Sequence, residues 1–146
     1  MPERSVTVRL HCTDDASHRA WLSLRVSSCD DPRQVEIDID PLRSVRSDAT
    51  CFLHLPNENE AKVLKSDIVG GLLMARKQLG RIGFRARLLT LGGSVGDEPR
   101  VTQVASVAFA VGAHAAVLSV LGDDHLRAEL KGGFGWKIDA IEPADA

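Results

Sequence analysis

At 146 residues the chain suits one domain, 1–146, and folding at this size buries roughly 68–70% of the unfolded surface, enough for a core without staples. Hydrophobic residues at 44% and charged residues at 26% are ordinary for a globular protein, but aromatics are 4% with no tyrosine, which argues against a stacking platform for single-stranded nucleic acid. The net charge of −2 and a pI near 6.2 exclude a global basic footprint.

The first elements alternate with period two. Val6, Val8 and Leu10 alternate with Thr7, Arg9 and His11, and Leu22, Leu24 and Val26 alternate with Trp21, Ser23 and Arg25. These runs are two half-buried strands, and "TDDASH" between them makes residues 5–27 a hairpin. "QVEIDIDPL" (Gln34 to Leu42) is a third strand, with Val35, Ile37 and Ile39 on one face, Glu36, Asp38 and Asp40 on the other, and Pro41 closing it. "TCFLHL" (Thr50 to Leu55) is a fourth strand, ended by Pro56.

The period then lengthens. Val63, Leu64, Ile68, Leu72, Ala75 and Leu79 recur at three and four, the apolar stripe of a helix. Gly80 and Gly83 lie near its end. Gly70-Gly71, inside the pattern, marks a kink, a close helix contact or the true helix start, since mid-helix glycine costs about 1 kcal/mol. Phe84 to Gly93 returns to period two as a fifth strand, and "GGSVGDEPR" is the loop that follows. Val101 to Gly122 is a second helix, apolar on nearly every side and therefore buried on more than one. The tail predicts short strands over His125–Leu130 and Trp136–Ile141, joined by "KGGFG" as a terminal hairpin. Strands first and strand–helix alternation afterwards define an α+β class: a mostly antiparallel sheet with two helices on one face.

The motifs carry little chemistry. "GGSVG" lacks the Lys-Ser/Thr of a phosphate loop, no G-x-G-x-x-G is present, and Asp97 and Glu98 would repel a phosphate. Pro99 instead suits the start of a helix. Ser94 has no nucleophile elbow around it. The carboxylates of Glu36, Asp38 and Asp40 form an acidic face that could hold a hard cation, but the environments needed to split them into acid and base are not visible. His11, Cys12, His18, Cys51 and His54 would cluster only if the first and fourth strands were neighbours, and the C-x-x-C pairing of a zinc site is missing. His114 reads as a core or boundary histidine. No metal and no cofactor is expected.

Charge is segregated. Residues 30–60 hold eight acids and three arginines, whereas residues 76–100 hold six bases (Arg76, Lys77, Arg81, Arg85, Arg87, Arg100) and two acids. The six bases are a candidate nucleic-acid-binding set. Cross-strand ion pairs between Arg85/Arg87 and the acidic face would account for the same charges without any function. The amino-terminal run lacks an apolar leader, no stretch suits a membrane span, and Cys12, Cys29 and Cys51 suit reduced thiols, so the expectation is a cytoplasmic protein with no membrane partner.

"IVGGLLMARKQL", "GFRARLLTLGGSVGDEPRV" and "ASVAFAVGAHAAVLSVL", preceded by "VEIDIDPL", give residues 34–122 a pattern that resembles the fourth domain of elongation factor G, with Ala108-Phe109 and the small residues after it the nearest match. The resemblance implies a left-handed β-α-β unit, shared with some ribosomal proteins and GHMP kinases, and a loop that in the family reaches the ribosomal decoding region. The family's His-Asp element in that loop is absent, as are a GTPase domain and the kinase phosphate loop. The 5–27 hairpin and the 123–146 extension have no counterpart in that domain.

Together these readings describe a non-catalytic binding module. A protein-interaction or self-association scaffold, using sheet edges and the terminal hairpin with Trp136, ranks first. An RNA- or ribosome-contacting module is the alternative, and a small-molecule enzyme of unknown reaction using the acidic face or Ser94 is the third reading.

Overall fold

The computed structural model describes residues 3–14, 18–44, 58–94 and 103–144. Six strands form one sheet: β1 (Glu3–Cys12), β2 (Arg19–Cys29), β3 (Val35–Asp38), β4 (Gly83–Ser94), β5 (Gly132–Gly133) and β6 (Trp136–Pro143), in the order β3-β4-β2-β1-β6-β5. All neighbours are antiparallel except β3 and β4, which run parallel and are connected through α1 (Pro41–Ser44) and α2 (Glu58–Gln78). α3 (Gln103–Leu121) and α4 (Asp124–Ala128) follow β4. The fold is therefore α+β, with a mixed, mostly antiparallel sheet and the two long helices on one face.

The period-two residues of β1, β2 and β4, and Leu91 beyond the register shift in β4, meet those helices. Val8, Leu10, Leu22, Leu24, Val26, Phe84 and Leu91 are buried against Leu64, Ile68, Leu72 and Ala75 of α2 and Phe109, Ala113, Ala116 and Val117 of α3. α3 is apolar all round because it packs against both the sheet and α2. Its approach to the sheet depends on Gly112, where a Cβ would overlap Leu22 Cδ2, and its approach to α2 depends on Gly71, where a Cβ would overlap the Ala110 carbonyl oxygen. Of the three readings of Gly70-Gly71, the close helix contact holds, and it belongs to Gly71 alone. α2 runs through the pair without a break and ends in a Schellman cap: Gly80, at φ 80°, donates to Lys77 O and Arg81 N–H donates to Arg76 O at 2.8 Å.

Three expectations change. β3 stops at Asp38, and Pro41 opens the short α1 instead of ending a longer strand, since its fixed φ and missing N–H suit the first helical position. Asp40 thus leaves the acidic strand face and pairs with Arg43 three residues on. The strand expected over His125–Leu130 is largely α4. Asp123 caps it by accepting from Leu126 N–H at 2.9 Å, and Arg127–Asp124 and His125–Glu129 pairs span its turns. The terminal hairpin is accordingly short, with Gly132–Gly133 facing Trp136–Lys137. Trp136 is buried in the core at 2% exposure and cannot meet a partner; Phe134, two residues earlier, is 80% exposed. The strand expected over Thr50–Leu55 and most of the "GGSVGDEPR" loop lie outside the described residues.

Candidate functional site: a groove between the two long helices

Two of the concave surfaces lie on opposite sides of the sheet. On the side away from the long helices, the residues alternating with the core form cross-strand pairs. Glu36 faces Arg85 and Asp38 faces Arg87 in the parallel β3–β4 register, with N···O distances of 2.7 Å and 3.6 Å. Arg9 pairs with Glu142 at 2.7 Å, His11 Nδ1 pairs with Asp139, and the Thr7 and Ser23 hydroxyls share a buried hydrogen bond of 2.7 Å. Arg25, opposite Arg87, donates to Ser5 Oγ. The shallow hollow over Glu3, Arg25, Glu36, Asp38, Arg85 and Arg87 thus holds three acids against three arginines.

The predicted basic set does not converge. Arg85 and Arg87 stand on that sheet face and are engaged by Glu36 and Asp38. Arg76, near the end of α2, donates to Ile82 O at 3.0 Å and to Pro32 O at 2.9 Å, tying the helix to the β2–β3 turn. Lys77 and Arg81 are exposed beside it, and Arg100 lies outside the described residues. The predicted acidic set is reduced to Glu36 and Asp38 on the strand, both paired. Among the described residues no three His, Cys, Asp or Glu side chains converge as metal ligands. Ser94 closes β4 opposite Arg19, and Cys51 and His54 lie outside the described residues.

The second concavity was not singled out from sequence. A groove of about 310 Å³ runs between α2 and α3 and is flanked by the β5–β6 hairpin. Ser66, Asp67, Gly70, Gly71 and Met74 come from α2, Ala110, Val111 and His114 from α3, and Gly132, Gly133 and Phe134 from the hairpin. Its lining is mostly apolar. Met74 is 52% exposed. His114 Nε2 hydrogen-bonds Gln78 Oε1 across the two helices, and its partial burial lowers the imidazole pKa from 6.5, so the ring is neutral near pH 7 and its N–H donates to the amide oxygen.

Phe134 and Gly135 are the two turn residues between β5 and β6, and both have positive φ, 54° and 87°. A type I′ turn requires this, and its first central position favours Asn, Asp or Gly. Phenylalanine there is a genuine backbone outlier, and the ring is turned to solvent at the groove's rim. The sequence signal is in "KGGFG", where Phe134 sits among three glycines.

Comparison with protein-family models, with curated proteins and with solved structures gives no match to this chain. Among the described residues no helix is long and apolar enough to cross a membrane.

Proposed function

We propose that this chain is a non-catalytic protein-binding module that engages its partner through the α2–α3 groove and the Phe134 hairpin. The observation that carries this reading is Phe134 itself: a strained, 80% exposed aromatic on the rim of an apolar groove. Backbone strain of this kind costs on the order of 1–3 kcal/mol and clusters at functional sites. An exposed phenylalanine adds nothing to the core that would offset that cost. Aromatic anchors beside a concave apolar surface are a usual centre of binding energy at protein interfaces.

The order β3–α2–β4–α3, with β3 and β4 parallel, is compatible with the further reading that the fold resembles the fourth domain of elongation factor G, which would make the crossover left-handed. The pairing of Arg85 and Arg87 adds no support for ribosome contact.

The test is site-specific photo-crosslinking in the cells that make the protein, with p-benzoylphenylalanine in place of Phe134. The expected result is a discrete adduct with one protein, or with a second copy of the chain, that does not form when the probe stands at the exposed Arg43. No adduct from position 134 would end the reading.

A further inference from the structure

The groove carries three features that folding does not require. Gly70 lies mid-helix, and a Cβ built there meets nothing within 4 Å; Gly133 likewise meets nothing and lacks a positive φ. Gly71, Gly112 and Gly132 each have a steric reason to be glycine, whereas Gly70 and Gly133 have none, and both line the groove. Bare backbone on both walls lets another chain approach closely.

The third feature is charge. Asp67, half-buried in the α2 wall, pairs with no cation among the described residues. The other titratable lining residue, His114, is held neutral by burial and gives its Nε2–H to Gln78. Among the described residues the groove therefore presents a single carboxylate together with an aromatic ring and a thioether, Phe134 and Met74. A lysine or arginine would find an ionic partner in Asp67 and a π face in Phe134.

We propose that the groove takes a short segment of a partner protein in which an apolar side chain stands next to a lysine or arginine, the apolar group lying over Gly70 and the cation reaching Asp67. This rests on the protein-binding reading and names the chemistry of the partner. An acidic segment would place like charge against Asp67 and is selected against.

A random heptapeptide display library panned on the whole protein tests this, with the best peptide then synthesised and its affinity measured by fluorescence anisotropy. Enrichment of an aromatic or aliphatic residue beside Lys or Arg is expected. Affinity should fall on the order of tenfold or more for Asp67→Asn, and as far for Gly70→Trp, which fills the groove. Circular dichroism melts establish that both variants fold. Because Gly70→Trp introduces a bulky ring, Gly70→Gln serves as a second filling variant. Peptides that need Gly70 but are acidic or uncharged, and ignore Asp67→Asn, would overturn the cation claim while leaving the protein-binding reading in place. Peptides indifferent to both filling variants, or no enrichment at all, would overturn the groove as the site, whereas the crosslink from position 134 tests the broader reading separately.

Discussion

Phe134 occupies a turn position that local energetics would give to asparagine or glycine. Phe134→Asn is therefore expected to keep the β5–β6 hairpin and to leave the thermal midpoint unchanged or higher, since asparagine tolerates positive φ. Partner binding should fall in the same variant. A large loss of stability in a melt would instead show that the ring supports the fold. His114 makes a second prediction at this scale. Its folded pKa lies below the unfolded value of about 6.5, so the folded state disfavours the proton. The stability this contributes is present above pH 6.5 and is lost as pH falls through 6.5 towards the folded pKa, because the unfolded chain then binds more protons. Urea melts between pH 7.5 and pH 5 should show that decline, and His114→Asn should flatten it. The apolar run around His114 marked it as a core or boundary residue, but its partner was not legible: Gln78 lies 36 residues away on another helix, and only the packing of α2 on α3 joins them.

Individual elements show where sequence patterns succeed. β1, β2 and β4 were legible because half-burial in a sheet leaves a period of two, and α2 because its stripe Leu64, Ile68, Leu72, Ala75 faces the core. Val63, counted in the stripe from spacing alone, is 43% exposed, since it falls on the flank. α4 was misread because Leu126, Ala128 and Leu130 alternate as a strand would, while Asp123, a local cap, sets the helix. The adjacent glycines of α2 separate structure from function at this scale. Gly71→Ala should destabilise by about 1–3 kcal/mol or prevent folding, because its methyl group would overlap the Ala110 carbonyl and α3 cannot withdraw without opening its contact with β2. Gly70→Ala, with open space around it, should stabilise by up to about 1 kcal/mol. Denaturant melts of the two variants should move in opposite directions, although both change glycine to alanine on neighbouring residues of one helix.

Over the whole molecule, the segments at the two ends of the chain supply the middle of the sheet and one of its edges. The β1–β2 hairpin is central: β2 pairs with β4, and β1 pairs with β6 from the chain's last twenty residues. Strand order was not legible, because it is decided by edge-to-edge pairing, which leaves no local pattern. In residues 34–122 alone, α3 would lose its floor, since Gly112 packs on Leu22 and the core beneath includes Val8, Leu10 and Leu24. β4 would lose its partner along eleven paired residues and expose an unpaired edge. A fragment of residues 34–122 is thus expected to be unfolded or aggregated, with no cooperative melt and poorly dispersed amide NMR resonances, while the whole chain melts as one unit. Removing only residues 131–146 should be nearly as damaging, because it takes away buried Trp136 and uncovers β1. If the 34–122 fragment instead melts cooperatively, that region is a domain in its own right and the outer strands are additions to it. The groove would then stand on α2 and α3 without its hairpin wall, and Phe134 could be removed without touching the fold that carries the site.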